Sequence, residues 1–231
     1  MTLHIGKSWL RQRFEENLRR GFQHAYETVR VEPSRFLLQL QAGYGLPIQS
    51  FQGVYSIDRA VLDDLAGRIV RSGMKVAAIE GAGLGLGGLI TVVPDVSILA
   101  AITLRTLQKL SLLYGFEFNT DEEIAELWIA AASAAGVDIS RELLEKEVVS
   151  RFVPRVIRRI AIQASSEVVE KWSARLIPVA SSLIGAGLNY YFVHAWGERA
   201  GCHFRGRHEQ IRGRIIKKSL VVQVRELPNR R

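Results

Sequence analysis

The sequence predicts an all-α protein, organised as a single multi-helix bundle that contains glycine-rich helical hairpins and begins with an N-terminal amphipathic helix. Two observations carry this prediction. Apolar residues recur at helical spacing along most of the 231 residues, and the sequence has no alternation of strand-like and helix-like segments. Hydrophobic residues make up 48% of the chain, which is enough to fill a sizeable core.

The first element is an amphipathic helix, predicted from about Ser8 to Val29 because apolar and charged residues alternate there at helical spacing. Prolines and glycines from Pro33 to Gly53 then interrupt the pattern. We expect a linker or packed loop there, with no helix between Gln41 and Ser56.

The most informative segment is residues 76–104, which is glycine-rich and almost uncharged. A helix that starts near Ser56–Asp58 is expected to enter it, with small residues at every fourth position from Gly73 onwards. Glycine costs a helix interior about 1 kcal/mol relative to alanine, so such a stripe favours close approach of another backbone. Pro94 and Asp95 are predicted to end this helix and open the next, which ends at Gly115.

Residues 176–197 form a second glycine-bearing apolar segment. Three aromatic residues lie near the end of this segment: Tyr190, Tyr191 and Trp196. They would form an aromatic belt if the segment entered a bilayer, or they would pack in the core of a bundle. We predict helix packing or membrane contact for eight residues of the two segments: Gly73, Ala77, Gly81, Gly85, Gly88, Ser181, Gly185 and Gly187.

Two further helices are predicted between these segments. Thr120 and Glu123 have the spacing of a capping box, and the helix that they open should end at Gly136. Another helix is expected from about Ser140. If this helix continues through Pro154, one basic stripe is formed by four arginines: Arg151, Arg155, Arg158 and Arg159. The favoured interpretation of this stripe is a solvated helix face.

No sequence motif indicates catalysis or a nucleotide site. Gly83, Gly85 and Gly88 have the spacing of a dinucleotide-binding turn, but Pro94 would cut its helix short and residues 101–113 contain no carboxylate for a ribose. Gly6-Lys7-Ser8 lacks the preceding glycine of a phosphate-binding loop.

We likewise predict no metal site and no cofactor. Cys202, His203 and His208 have no recognised zinc spacing and no fourth ligand. Two acids stand inside the apolar hairpin, and we interpret Glu80 and Asp95 as a buried acid or a helix cap.

The charge of the chain favours an anionic partner. Its formal net charge is +8, and basic residues gather at both ends. The single cysteine fits a reducing compartment, and no secretory signal is visible in the first residues. We predict that six cations contact anionic lipid: Arg205, Arg207, Arg212, Arg214, Lys217 and Lys218.

The chain resembles the bacterial EcsC family over about residues 45–207. The resemblance rests on ordered motifs, namely Gly45-Leu46-Pro47, LDDLAGRIVRSG, the glycine run from Glu80, Pro94-Asp95, Tyr114-Gly115-Phe116, Ile177-Pro178 and Gly185-Ala186-Gly187-x-Asn189. It implies a helical, membrane-associated protein, in a family named after a protein encoded beside an ABC transporter. No established catalytic residue carries over. Residues 1–44 would form the amphipathic helix and linker, and residues 208–231 a basic C-terminal tail.

The leading functional hypothesis is therefore a non-enzymatic accessory or scaffold protein in bacterial envelope or transport processes. It would lie in the bacterial cytoplasm against the cytoplasmic face of the inner membrane, with anionic lipids and a transporter or other envelope protein as partners. The alternative is a soluble helical bundle that binds a lipid or another apolar ligand. Nucleic-acid binding and an enzyme are less favoured, and a homo-oligomer stays open because small-residue stripes pack within or between chains.

Overall fold

The computed structural model describes residues 7–84, 92–139, 148–173 and 181–226. These residues form α-helices and helical turns with no strand, so the predicted all-α class is confirmed. The helices are α1 (Lys7–Thr28), α2 (Pro33–Leu38), α3 (Arg59–Leu84), α4 (Val92–Leu113), α5 (Asp121–Ala134), α6 (Val149–Ser173) and α7 (Ser181–Glu226).

Helix α4 lies at the centre of the bundle. Leucines along its length are fully buried, and α1, α3 and α7 pack around it. Helix α5 packs against α6 and α7, and α6 also packs along α1. The aromatic core joins α1 to α5 and α7, because Phe22 stacks on Trp196 with ring centroids 5.5 Å apart and meets the edge of Trp128 at 6.4 Å.

Two predicted helix boundaries have the expected chemistry. The Thr120 side chain accepts a hydrogen bond from the Glu123 backbone, and the Glu123 side chain accepts one from the Thr120 backbone, so the capping box is confirmed. After α4 the chain reverses at Gly115, whose φ of +88° lies in the left-handed region that favours glycine.

The region between α2 and α3 is more helical than predicted. A π-helical turn occupies Gln39–Gly43, and a 3-10 helix occupies Phe51–Ser56, where we expected no helix. Buried Phe51 and Val54 anchor the 3-10 helix in the core, and this tertiary packing outweighs the local preference of a glycine-containing segment for a loop.

Helices α6 and α7 both continue through positions where the sequence pattern changes. Helix α6 includes Pro154, and the four arginines of the predicted stripe are all exposed along it. Helix α7 runs for 46 residues, so residues 208–226, predicted as a basic tail, are a continuation of the helix.

Candidate functional site

Helices α3 and α7 pack as an antiparallel pair with one register along their length. Each step forward on α3 corresponds to a step back on α7, from Asp63 beside Arg205 to Ala77 beside Asn189. Between these points the backbones approach closely at Gly73. A Cβ atom on Gly73 would lie 2.5 Å from Thr106 Oγ1 of α4 and 3.2 Å from Val193 Cγ1 of α7.

A second close approach, at Gly197, was not predicted from the sequence. A Cβ atom there would lie 2.7 Å from Val70 Cγ2 of α3. The four-residue spacing of Gly197 and Gly201 was the available signal, but Gly201 has open space around the same position. Spacing alone therefore does not distinguish a contact glycine from a neighbouring one.

One end of the pair carries a polar cluster, defined by Asp63, Tyr114 and Arg205. Arg205 Nε donates to Asp63 Oδ1 at 2.7 Å, and the Tyr114 hydroxyl donates to the same oxygen at 3.0 Å. Arg59 Nε lies 3.5 Å from the other carboxylate oxygen. The pKa of Tyr114 is raised to about 12, mainly by burial; the hydrogen bond with Arg205 acts in the opposite direction but is outweighed. The cluster joins α3, α7 and the turn that follows α4.

A second ion-pair group joins α5 to α7. Glu126 is buried, with its Oε1 atom 2.7 Å from His203 Nε2 and 3.2 Å from Arg207 Nε. Of the six cations predicted to contact lipid, Arg205 and Arg207 thus hold carboxylates within the protein. The other four lie further along α7, and three of them, Arg214, Lys217 and Lys218, are exposed.

The three residues weighed as metal ligands face different surroundings. Cys202 is exposed, His203 meets Glu126, and buried His208 places Nδ1 3.0 Å from the Tyr114 carbonyl oxygen. The His208 ring also stacks on Tyr55 at 4.7 Å. Within the described residues, no three potential ligands are grouped as a metal site requires.

The opposite end of the pair carries exposed apolar side chains, which we call the apolar tip: Val76, Ile79, Tyr190 and Tyr191. Ile79 is 71% exposed and the other three are 43–48% exposed. The register brings Val76 of α3 level with Tyr190 of α7. Of the three aromatics for which a belt or a core was expected, only the tyrosines are exposed, because Trp196 is buried and stacks on Phe192 at 4.5 Å.

Cations lie directly behind the apolar tip. Arg71, Lys75 and His194 are exposed within about two turns of it. The sequence has no acid in residues 65–79 of α3 or 181–197 of α7. The described side chains near this end are thus apolar and then cationic, and Glu80 follows Ile79 in the sequence of α3. Among the helices in the described ranges, none is both long and apolar enough for a membrane span.

Only some of the remaining predicted packing residues lie within the described part of the structure. Ala77 is fully buried, and its carbonyl oxygen lies 3.5 Å from Asn189 Nδ2, which donates to it. Gly81 is part of α3, but Gly85 and Gly88 lie outside the described residues. Side-chain surroundings are also outside the description for five residues within helices: Glu80, Asp95, Ser181, Gly185 and Gly187.

Comparison with known proteins extends these observations. A model of the EcsC protein family matches residues 46–208, which include all of α3 to α6 and residues 181–208 of α7. The chain is 27% identical over 161 residues to the uncharacterized protein YdbA of Bacillus subtilis (strain 168), covering 62% of this chain and 58% of YdbA.

It is also 27% identical over 143 residues to protein EcsC of the same organism, covering 60% of each chain. The chain therefore spans about three fifths of the length of these curated relatives. No solved structure matches it.

Proposed function

Because this chain belongs to the EcsC protein family, we propose that it is a non-enzymatic, membrane-associated accessory or scaffold protein of bacterial envelope or transport processes. It would sit on the cytoplasmic face of the inner membrane. The observation that carries the proposal is the apolar tip, whose exposed aliphatic and tyrosine side chains are backed by Arg71 and Lys75. This order of residue types matches the order of layers in an anionic leaflet, from acyl chains to headgroups.

The expected energies suit reversible attachment. Full burial of a valine or isoleucine side chain is worth about 1.5–3 kcal/mol, so half-exposed side chains gain about 1 kcal/mol each on entering lipid. Each cation near an anionic surface adds about 1 kcal/mol. Four apolar side chains and two cations together supply about 6 kcal/mol, which is sufficient for peripheral binding but far less than a membrane span provides.

Acids beside and behind the tip limit how deeply it can enter. Glu80 directly follows Ile79 in α3. Glu198 is exposed on α7, seven residues beyond Tyr191, which is about 10 Å along the helix. An anionic side chain is strongly disfavoured in the hydrocarbon region. Shallow insertion to the level of the headgroups therefore satisfies both the apolar tip and Glu198.

Vesicle flotation of the full chain tests the proposal. We expect binding to vesicles that contain phosphatidylglycerol, and weaker binding to phosphatidylcholine alone. A tip variant that carries Val76→Ser, Ile79→Ser, Tyr190→Ser and Tyr191→Ser should bind at least about tenfold more weakly. The matched control carries Val61→Ser, which removes an exposed apolar side chain of α3 about 22 Å along the helix from Val76.

Arg71→Gln with Lys75→Gln should abolish the preference for phosphatidylglycerol and leave the residual binding intact. Equal binding by the tip variant and the unmodified chain would refute the role of the tip. Absence of binding to all vesicles, with lipid released from the purified chain by solvent extraction, would favour the alternative of a bundle that holds an apolar ligand.

A further inference from the structure

Helix α7 continues well beyond the start of α3, one of the helices against which it packs. Arg59, the first residue of α3, lies level with Glu209, with Nε and Oε1 3.8 Å apart. From Gln210 to Glu226, α7 has no α3 residue beside it over about 25 Å. We call this part the α7 extension. Residues 213–218 are exposed at every position, which covers more than one full turn.

The core-facing side of α7 runs on into this extension. Phe204 and His208 are buried, and Ile211 packs partly buried against the core. The next position of the same helical stripe is Ile215, which is 47% exposed, and Ile216 beside it is 50% exposed. An apolar stripe that is covered up to His208 is thus about half exposed at Ile215.

The extension is strongly cationic. Arg214, Lys217 and Lys218 are exposed, and Arg212 is half-buried. The sequence contains no acid between Ile211 and Arg225. Two extensions from two copies of this chain would repel one another, so charge complementarity favours an acidic partner over a second copy.

The anionic leaflet that is proposed to bind the apolar tip is a poor candidate for the acidic partner of the α7 extension. This conclusion rests on the proposed function. Tyr191 and Arg214 are about 35 Å apart along α7, several times the Debye length of about 8 Å at physiological salt. Laying α7 flat on the leaflet would not remove this problem. Glu198 and Glu209 follow Tyr191 at intervals that return to the same side of a helix, so they would face anionic headgroups.

We infer that the α7 extension is a docking site for an acidic amphipathic helix of a partner protein. Ile215 and Ile216 pack against the apolar face of that helix, and the four cations pair with carboxylates beside it. Pairing of two amphipathic helices uses both features, with the apolar stripe giving affinity and the flanking charges giving partner choice. A nucleic acid would use the cations and leave the isoleucines in water.

A binding assay without lipid tests this inference independently of the tip. The probe is a fluorescent helical peptide of about three heptads, with leucine in the core positions and glutamate beside them. We expect the full chain to bind this peptide. Two double variants, Ile215→Ser/Ile216→Ser and Lys217→Glu/Lys218→Glu, should each weaken binding at least about tenfold. The tip variant should bind it normally, and circular dichroism should show unchanged helicity for the doubly substituted variants, whose changed residues are exposed.

Three results would overturn the inference. Equal binding of polyglutamate, with no effect of the isoleucine substitutions, would indicate a simple polyelectrolyte contact. Tighter binding of a DNA duplex would indicate a nucleic-acid surface. Binding of the tip variant to phosphatidylglycerol vesicles, lost on Lys217→Glu with Lys218→Glu, would assign the extension to the membrane.

Discussion

Arg205 and Asp63 lie 142 residues apart in the sequence and are joined by a hydrogen bond of 2.7 Å from Nε to Oδ1. The bond fixes α7 against α3, and Tyr114, in the turn that follows α4, donates to the same carboxylate oxygen. Two helices and the turn that follows α4 therefore share one carboxylate.

Asp63→Asn and Arg205→Met should each reduce the free energy of unfolding. The two side chains are 30% and 32% exposed, so water screens them partly. We expect a coupling energy of about 1–2 kcal/mol, below the 3–5 kcal/mol cost of breaking a fully buried pair. Urea unfolding of the two single variants and the double variant measures it. The exposed Arg68–Asp64 pair provides the control, for which about 0.5 kcal/mol or less is expected.

Gly197→Ala should destabilise the protein by about 1–3 kcal/mol, because the new methyl group would overlap the β-branched Val70. Gly201→Ala, four residues further along the same helix, meets no atom within 4 Å. It should stabilise the protein by about 0.5–1 kcal/mol through helix propensity. Thermal unfolding of both variants compares them, and changes of the same sign would contradict the close approach at Gly197.

The unfolding free energy should decrease at alkaline pH through Tyr114. An unfolded tyrosine ionises near pH 10, whereas burial raises the folded pKa to about 12. The corresponding stabilisation is present below about pH 10 and is lost as the pH rises to about 12, by about 2 kcal/mol. Urea unfolding at about pH 9 and 11.5 should show a larger decrease for the unmodified chain than for Tyr114→Phe. Burial also raises the pKa of Tyr26 and Tyr55, and both remain in this control.

Gln108→Met should cost about 2–4 kcal/mol of unfolding free energy. Gln108 accepts a hydrogen bond from the Val31 backbone nitrogen at 2.8 Å and donates one to the Val29 carbonyl at 3.0 Å. Methionine has a similar size but would leave both backbone groups without this partner. Gln163→Met on the exposed side of α6 is the control. Equal denaturation midpoints for the two variants would contradict the role of Gln108.

Local chemistry explains which parts of the fold were predictable. The capping box at Thr120 and the left-handed turn at Gly115 follow from neighbouring residues, and both are present. The bundle class follows from apolar spacing in the same way. The family match, over residues 46–208, agrees closely with the resemblance deduced for residues 45–207.

The site depends on contacts that no local pattern contains. Arg205 and Arg207 stand in a run of cations that predicted a lipid-binding tail, but their carboxylate partners come from α3 and α5. The apolar tip was anticipated only in part. Tyr190 and Tyr191 were considered for an aromatic belt, whereas Val76 and Ile79 have the helical spacing of ordinary core residues. A periodic pattern does not encode which of its apolar positions other helices cover.

The constant register of α3 and α7 restricts where this protein can change length during evolution. One residue inserted into α7 between Val193 and Arg205 would rotate everything beyond it by about 100° and shift it by about 1.5 Å. Arg205 would then turn away from Asp63 while Gly73 kept its contact with Val193. Insertions and deletions should therefore accumulate in the connections between the helices, where they leave the register of α3 and α7 unchanged.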